Sequence, residues 1–360
     1  MRGGAPRWWQ SRGFAAQALQ PLAACYRLGF LAHRAWAQRH RRRFPVPVIV
    51  VGNLTAGGSG KTPVVEALAR ALRERGRRVA VVSRGYRSDV AARGGCERVS
   101  GCDPRRHGDE PTLLAQTTGV PVIVGRDRPH AIAHLLATEP HLDVILADDG
   151  LQHHRLARQF ELVVLDPATL GNRWLLPAGP LREPLDRLRS VSAVLVRGAA
   201  NDTEARATVR ALLGRDAIPA TWALTIEPVG LQPLAAWRRG RKGDAETLIP
   251  LSELAGRRVA AITGIAHPER FFVTLEALGA TVARHPFPDH HRFHAHDLPK
   301  PEPGVWRLFT AKDAVKCAEW AVADDFVLVV RAQVPTELVD RIEETIDGSA
   351  ASGRPGLPAV

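Results

Sequence analysis

The sequence predicts an α/β protein built on a doubly wound parallel sheet, with a second, smaller α/β domain after it. Short apolar runs rich in β-branched residues recur at 46–51, 79–82, 120–124, 144–147, 162–165 and 191–196, with helical spacing between several of them. That is the pattern of buried parallel strands joined by crossover helices. A second set lies beyond a loop-rich, Pro- and Trp-containing stretch at about 218–250, with strands at 259–263, 307–310 and 326–330 and helices at 268–278 and 314–322. The length of 360 residues suits about two domains. A content of 45% apolar and 24% charged residues excludes disordered, collagen-like and coiled-coil classes. The expected division is an N-terminal basic helix over 1–45, a first domain over 46–220, a second over 221–347 and a flexible tail over 348–360.

The N-terminal arm carries most of the net charge of +12, because residues 1–45 hold nine Arg and no Asp or Glu. The remainder is nearly neutral, so the charge does not have the spread of a nucleic-acid-binding surface. Residues 14–36 read as one helix, with Pro21 near a start or a kink. Leu19, Leu22, Tyr26, Phe30 and His33 share a side, Trp36 lies nearby, and Leu28 and Leu31 widen the apolar surface. Trp8, Trp9 and Arg12 precede this helix, and Arg39, Arg41, Arg42 and Arg43 follow it. Such a helix suits an anionic membrane surface, and packing on the protein's own core is the alternative. Arg27 and Arg34 interrupt the apolar stretch, against a cleaved leader. The longest uncharged stretch, 44–60, is broken by Pro, Asn, Thr, Ser and Gly and is no membrane span. Four Cys without a CxxC pair point to a reduced cytosolic protein.

After the first apolar run comes Gly52-Asn53-Leu54-Thr55-Ala56-Gly57-Gly58-Ser59-Gly60-Lys61-Thr62-Pro63. Val64, Val65, Leu68, Ala69 and Leu72 follow at helical spacing, and Gly76 is placed to end the helix. Strand, glycine loop, Lys-Thr and helix in that order are the context of a P-loop. Glycines let successive N–H groups of Thr55, Ala56, Gly57, Gly58, Ser59 and Gly60 curl around phosphate, and the helix N-terminus adds positive potential. Lys61 reaches the β/γ-phosphates in such loops, and Thr62 offers its hydroxyl to Mg²⁺. Thr55 stands where the usual pattern has Gly. GxGxxG is not satisfied, and Lys-Thr implies a triphosphate with metal rather than a dinucleotide.

The run at 144–147 ends in Asp148-Asp149-Gly150, followed by Gln152, His153 and His154. Carboxylates at the C-terminal end of a parallel strand face the ligand crevice of open α/β sheets, where a Mg²⁺-holding acid belongs. Asp109, in His107-Gly108-Asp109-Glu110-Pro111, is placed either to cap a helix over 112–118 or to serve as a catalytic carboxylate, and the two roles are compatible. Residues 171–184 are rigid, Pro-rich and carry Arg173, Arg182 and Glu183. The His-rich segment 287–297 has no established zinc spacing, so an acid/base or pKa-tuning His fits better. Only Lys61, Lys242, Lys300, Lys312 and Lys316 are Lys among 49 basic residues, which makes each Lys more informative.

Together GNLTAGGSGKTP (52–63), SRGY (83–86), HGDEP (107–111), DDGLQH (148–153), GNRWLLPAGPLREP (171–184), ITGIAHPERFF (262–272), FPDHHRF (287–293) and TAKDAVK (310–316) resemble the tetraacyldisaccharide 4′-kinase family, the lipid A 4′-kinases of Gram-negative bacteria. Ala311 departs from the family's frequent Glu. The resemblance implies a P-loop NTPase-like fold and ATP-dependent phosphorylation of the 4′-hydroxyl of an acylated glucosamine disaccharide 1-phosphate. It implies a peripheral place on the cytoplasmic face of the inner membrane, with ATP and Mg²⁺ as cofactors and neither a nucleic acid nor an obligate protein partner. By motif, Lys61 and Thr62 serve ATP and Mg²⁺, and Asp148, Asp149 and Glu183 are the metal-side acids. Asp109 is the base and His290 its tuning partner, with His291 the fallback. The pair is expected to meet across the cleft between the domains. A membrane-recruited P-loop ATPase switch is the alternative function. A nucleic-acid-binding ATPase rests only on the basic arm, and guanine specificity is disfavoured because no NKxD is present.

Overall fold

The computed structural model describes residues 6–214, 217–237 and 248–351. Its fold is mixed α/β. The described residues hold twelve strands: β1 Val48–Gly52, β2 Val79–Ser83, β3 Cys96–Arg98, β4 Val122–Gly125, β5 Val144–Asp148, β6 Phe160–Leu165, β7 Ala193–Arg197, β8 Ala220–Pro233, β9 Arg258–Thr263, β10 Thr281–Pro286, β11 Trp306–Thr310 and β12 Asp325–Gln333. By contacts the chain falls into two compact units. Of the described residues, one comprises those within 6–84, 127–225 and 333–351, and the other those within 85–126 and 226–332. The segment carrying Asp109 therefore groups with the C-terminal strands, whereas the sequence reading places it in a domain over 46–220.

In the first unit the strands run parallel in the order β8-β7-β6-β1-β5-β2, with the first half of β8 paired to β7. Valine and isoleucine fill this sheet because strands covered on both faces need apolar side chains at every position. Val48, Ile49, Val50 and Val51 are accordingly all 0% exposed. The chain passes from β5 to β6 across β1, so the loop after β1 opens where the strand order reverses, which is where such sheets bind ligands. The helix Lys61–Glu74 follows that loop and buries Val64, Val65, Leu68, Ala69 and Leu72, and Gly76 stops it as expected.

The arm forms two helices, Phe14–Ala18 and Gln20–Arg39, rather than the one expected over 14–36, and Pro21 sits in the first turn of the second. Ala23 and Ala37 are buried, while Tyr26, Phe30 and Arg34 are half-buried on the same face. The Tyr26 hydroxyl donates to the Arg182 carbonyl at 2.8 Å. Leu22, Leu28, Leu31 and Trp36 remain exposed, and His33 is exposed as well. The helix thus has both a packed face and an apolar exposed face. Among the described residues no helix is long and apolar enough to cross a membrane. Residues 348–351 complete the helix Thr336–Ala351, and the remainder of the expected tail lies outside the described residues.

In the second unit β10-β9-β11-β12 form a parallel sheet, and β3 pairs antiparallel with β4. Within the Pro- and Trp-containing stretch expected as loop at about 218–250, residues 220–233 form the long strand β8, whose second half bridges Leu231 to Ile249. Residues 238–247 of that expected boundary, Lys242 among them, lie outside the described residues. Arg307 and Asp325, opposite one another on β11 and β12, form a buried two-bond ion pair at 2.6 Å. Leu113 packs with Phe293, Phe309, Ala314 and Val315 in one core. This burial ties the helix Asp109–Thr118 to the helix Ala311–Cys317.

Candidate functional site

The phosphate-loop cluster lies at the C-terminal ends of β1 and β5. Gly57 and Gly60 have φ of +119° and +86°, backbone that only glycine adopts without strain. Gly60 caps the following helix with no side-chain hydrogen bond to its first turn. The amides of 57–60 donate to no protein acceptor among the described residues, and the Ser59 hydroxyl is buried without a partner. Those groups make a cradle fit for phosphate oxygens. Two other residues of the expected cradle are already engaged. The Ala56 amide donates to the Pro180 carbonyl at 2.8 Å, and the Thr55 hydroxyl pairs with that of Thr169 at 3.1 Å.

Lys61 opens the helix with its side chain 10% exposed. It donates to Asn53 Oδ1 at 3.0 Å and lies 3.3 Å from Asp149 Oδ1. Arg182 reaches the same carboxylate at 3.1 Å. Burial alone would raise the Asp149 carboxyl, but Lys61, Arg182 and Arg128 outweigh it and hold the group below the ordinary carboxylate range. Asp149 has φ +47°, a left-handed conformation that Asp tolerates better than most residues. Asp148 beside it is buried and accepts from the Ser83 hydroxyl at 3.1 Å.

Glu183 is fully buried and pairs with Arg187 at 3.2 Å. Burial pushes its carboxyl up, against the lowering pull of Arg187 and of the Gln152 hydrogen bond. Gln152 donates to Glu183 at 2.9 Å and to the Asn53 carbonyl at 3.1 Å, so Glu183 joins the loop through Gln152 and Asn53. Among the described residues no three His, Cys, Asp or Glu are grouped to hold a metal by themselves. Mg²⁺ needs only one or two carboxylates when nucleotide oxygens and water complete its shell, and the oxygen donors Thr62, Asp148 and Asp149 fit that chemistry.

Sequence reasoning missed Arg128, which is fully buried with its Nη2 on the Asp148 carbonyl at 2.9 Å. Burial pushes its guanidinium down to about 10, against Asp148 and Asp149. It adds positive charge beneath the acids. Burial, assisted by Arg128 and Arg84, pushes His153 down to about 3 and keeps it neutral.

The second cluster lies within the other unit. Gly108, not Asp109, is the N-cap, and Asp109 opens the first turn of its helix. Its Oδ2 lies 3.1 Å from His290 Nδ1 and 3.7 Å from Lys316 Nζ. The two residues belong to one unit instead of meeting across a cleft between domains, because the Leu113 face of the Asp109 helix is buried against Phe293, Ala314 and Val315. His290 has φ +58°, and its amide donates to the Gly264 carbonyl at 3.1 Å. His291 instead bonds Asp297 at 3.1 Å and stacks on Phe287.

Lys312 Nζ lies 3.1 Å from His290 Nε2, 3.2 Å from Glu110 and 3.4 Å from Asp289. Lys316 pairs with Asp313 at 2.7 Å, and Asp313 is buried under donors from Thr263, Gly264 and Thr310. Burial would lower both ammonium groups, yet the surrounding carboxylates raise them above the ordinary lysine range. The signal for these two residues was present, since they are two of five Lys in the chain, one helical turn apart.

A glycine cradle with lysine and acid at its mouth fits phosphoryl chemistry, and an Asp–His pair fits proton transfer. A family model for tetraacyldisaccharide-1-P 4′-kinase matches residues 15–347. The chain belongs to that family. A tetraacyldisaccharide 4′-kinase of Azoarcus sp. is 47% identical, with 98% of this chain and 96% of the relative aligned. One from Aromatoleum aromaticum is 44% identical, with 98% of each aligned. The crystal structure of LpxK from Aquifex aeolicus in complex with ATP matches with a TM-score of 0.72 at 28% identity, covering 93% of this chain and 99% of that one.

Proposed function

We propose that the chain is an ATP-dependent kinase that transfers the γ-phosphate to the 4′-hydroxyl of tetraacyldisaccharide 1-phosphate, forming the lipid A precursor lipid IVA. The family membership supports the reaction. The observation that carries the donor side is the Lys61 ammonium held at the start of its helix by Asn53 and Asp149, beside a cradle of open amides. Lys61 turns from Asp149 to the β/γ-phosphates when ATP enters. The amides of 57–60 take phosphate oxygens, and Arg182 keeps Asp149 in place. Thr62 and Asp148 or Asp149 would hold Mg²⁺, which when bound would supply positive charge against the phosphate oxygens. Glu183 orients Gln152 and Asn53, and through them Lys61.

On the acceptor side, Asp109 takes the proton of the 4′-hydroxyl. His290 and Lys316 both approach through Oδ2, which leaves Oδ1 to the substrate. His290 orients the carboxylate and keeps it ionised until the hydroxyl is in place. The substrate is a lipid and must be met at a surface. The exposed Leu22, Leu28, Leu31 and Trp36 with the neighbouring arginines suit peripheral docking on the cytoplasmic face of an anionic inner membrane.

The test uses purified full-length protein, Mg²⁺ and γ-labelled ATP, with the disaccharide 1-phosphate or its 4′-deoxy analogue in micelles. Label on the first lipid and none on the second is expected. Equal labelling of both would overturn the 4′ assignment. Label released only as free phosphate would favour an ATPase switch.

A further inference from the structure

Two lysines approach the Asp109–His290 pair from one helix, and the nearer touches the imidazole itself. Lys312 Nζ lies 3.1 Å from His290 Nε2, with its side chain 18% exposed. An ammonium only donates hydrogen bonds, so Nε2 must accept. A neutral imidazole then carries its one N–H on Nδ1, the nitrogen 3.1 Å from Asp109 Oδ2. A competing arrangement is built in beside it. Asp289 Oδ2 lies 3.8 Å from the same Nε2, beyond hydrogen-bond distance, and its charge favours an N–H there in the opposite tautomer.

We propose that Lys312 is a positioning residue that holds His290 in the Nδ1–H tautomer, so that the imidazole donates to Asp109 and leaves Oδ1 to the acceptor hydroxyl. The catalytic consequence rests on the reading of Asp109 as the base. The remaining charged and titratable groups around the pair are Glu110 on Lys312, Lys316 on Asp109 with Asp313 behind it, Arg87 on the Asp289 carbonyl, and Tyr86 edge-on to the His290 ring at 5.0 Å. The Asp109 carboxylate only accepts and so favours Nδ1–H from its own side; at Nε2, Lys312 sides with it against Asp289.

The tautomer is read by imidazole ¹⁵N NMR of the full-length protein, with His290 assigned from His290→Gln. Wild type is expected to show Nδ1–H, Lys312→Met to populate Nε2–H, and Lys312→Arg to restore Nδ1–H. Losing a base outright costs about 10²–10⁴-fold, so disorienting it in Lys312→Met should lower kcat by about 10–100-fold. KM for ATP should stay within about twofold, because the interaction lost is one made to the acceptor's base. Nε2–H in the wild type, which needs no variant to fold, would overturn the proposal, as would an unchanged tautomer in Lys312→Met. If the tautomer shifts while Lys312→Met and Asp109→Ala both turn over normally, the base reading falls and the tautomer assignment stands.

Discussion

Asp109→Asn removes a proton acceptor while nearly preserving shape. Asp109 meets His290 at 3.1 Å and Lys316 at 3.7 Å, both through Oδ2, and an amide can occupy the same space. A sugar hydroxyl is a poor nucleophile, and removing its base should cost about 10²–10⁴-fold in kcat, or about 3 to 5 kcal/mol of transition-state stabilisation. Lys316 keeps Asp313 at 2.7 Å, so the fold should lose about 1 kcal/mol or less. Lys61 is held by Asn53 and Asp149, both in its own unit, so KM for ATP should change by less than about twofold. The assay is initial-rate transfer of label from γ-labelled ATP to the lipid, with urea denaturation alongside. A folded Asp109→Asn protein that turns over within about threefold of wild type would refute the base assignment.

Gly60→Ala places a side chain at φ +86° and should strain the loop by about 1–2 kcal/mol, weakening ATP binding by calorimetry about tenfold. Glu183→Gln tests two readings together. Its carboxyl is pushed up by burial, so the charged form opposes folding above the ordinary carboxylate range, and that penalty disappears as pH falls below it. The variant should therefore be as stable as wild type or more so at neutral pH, with any advantage lost on acidification. A raised Mg²⁺ requirement in the same variant would place Glu183 on the metal, and an unchanged one would leave it as a support for Gln152. Leu28 and Leu31 are 68% and 46% exposed. Replacing both with Asp forfeits apolar contacts worth about 1.5–3 kcal/mol per fully buried Leu, and co-sedimentation with anionic vesicles should drop at least about tenfold. Activity in micelles should stay within about twofold of wild type.

What the residues revealed in advance was mostly local. The strand before the loop, the helix after Lys61 and the acids ending β5 follow from apolar runs, glycines and strand ends, whose signals lie within a few residues of each other. The grouping of Gly85–Arg126 with the C-terminal strands had no such signal. It depends on Leu113 meeting Phe293 and Val315 across some 180 residues of chain. Pro and Trp content made about 218–250 read as loop, but pairing of Ala220–Leu224 along β7 and the Leu231–Ile249 bridge hold 220–233 extended. Neighbouring histidines were indistinguishable by motif, and the left-handed backbone at His290 separates them by turning one ring to Asp109 and the other to Asp297. Asp109 looked like a helix cap because Asp commonly fills that position, yet Gly108 takes it and leaves the carboxylate for other partners.

The most direct measurement of the central claim is label transfer from γ-labelled ATP to tetraacyldisaccharide 1-phosphate by wild type and by Lys61→Ala. Lys61 is the one lysine at the head of the glycine-loop helix. The account predicts rapid labelling of the lipid by wild type and a loss of at least about 10²-fold in the variant, with the fold intact. Lipid labelling at the wild-type rate by Lys61→Ala would contradict it.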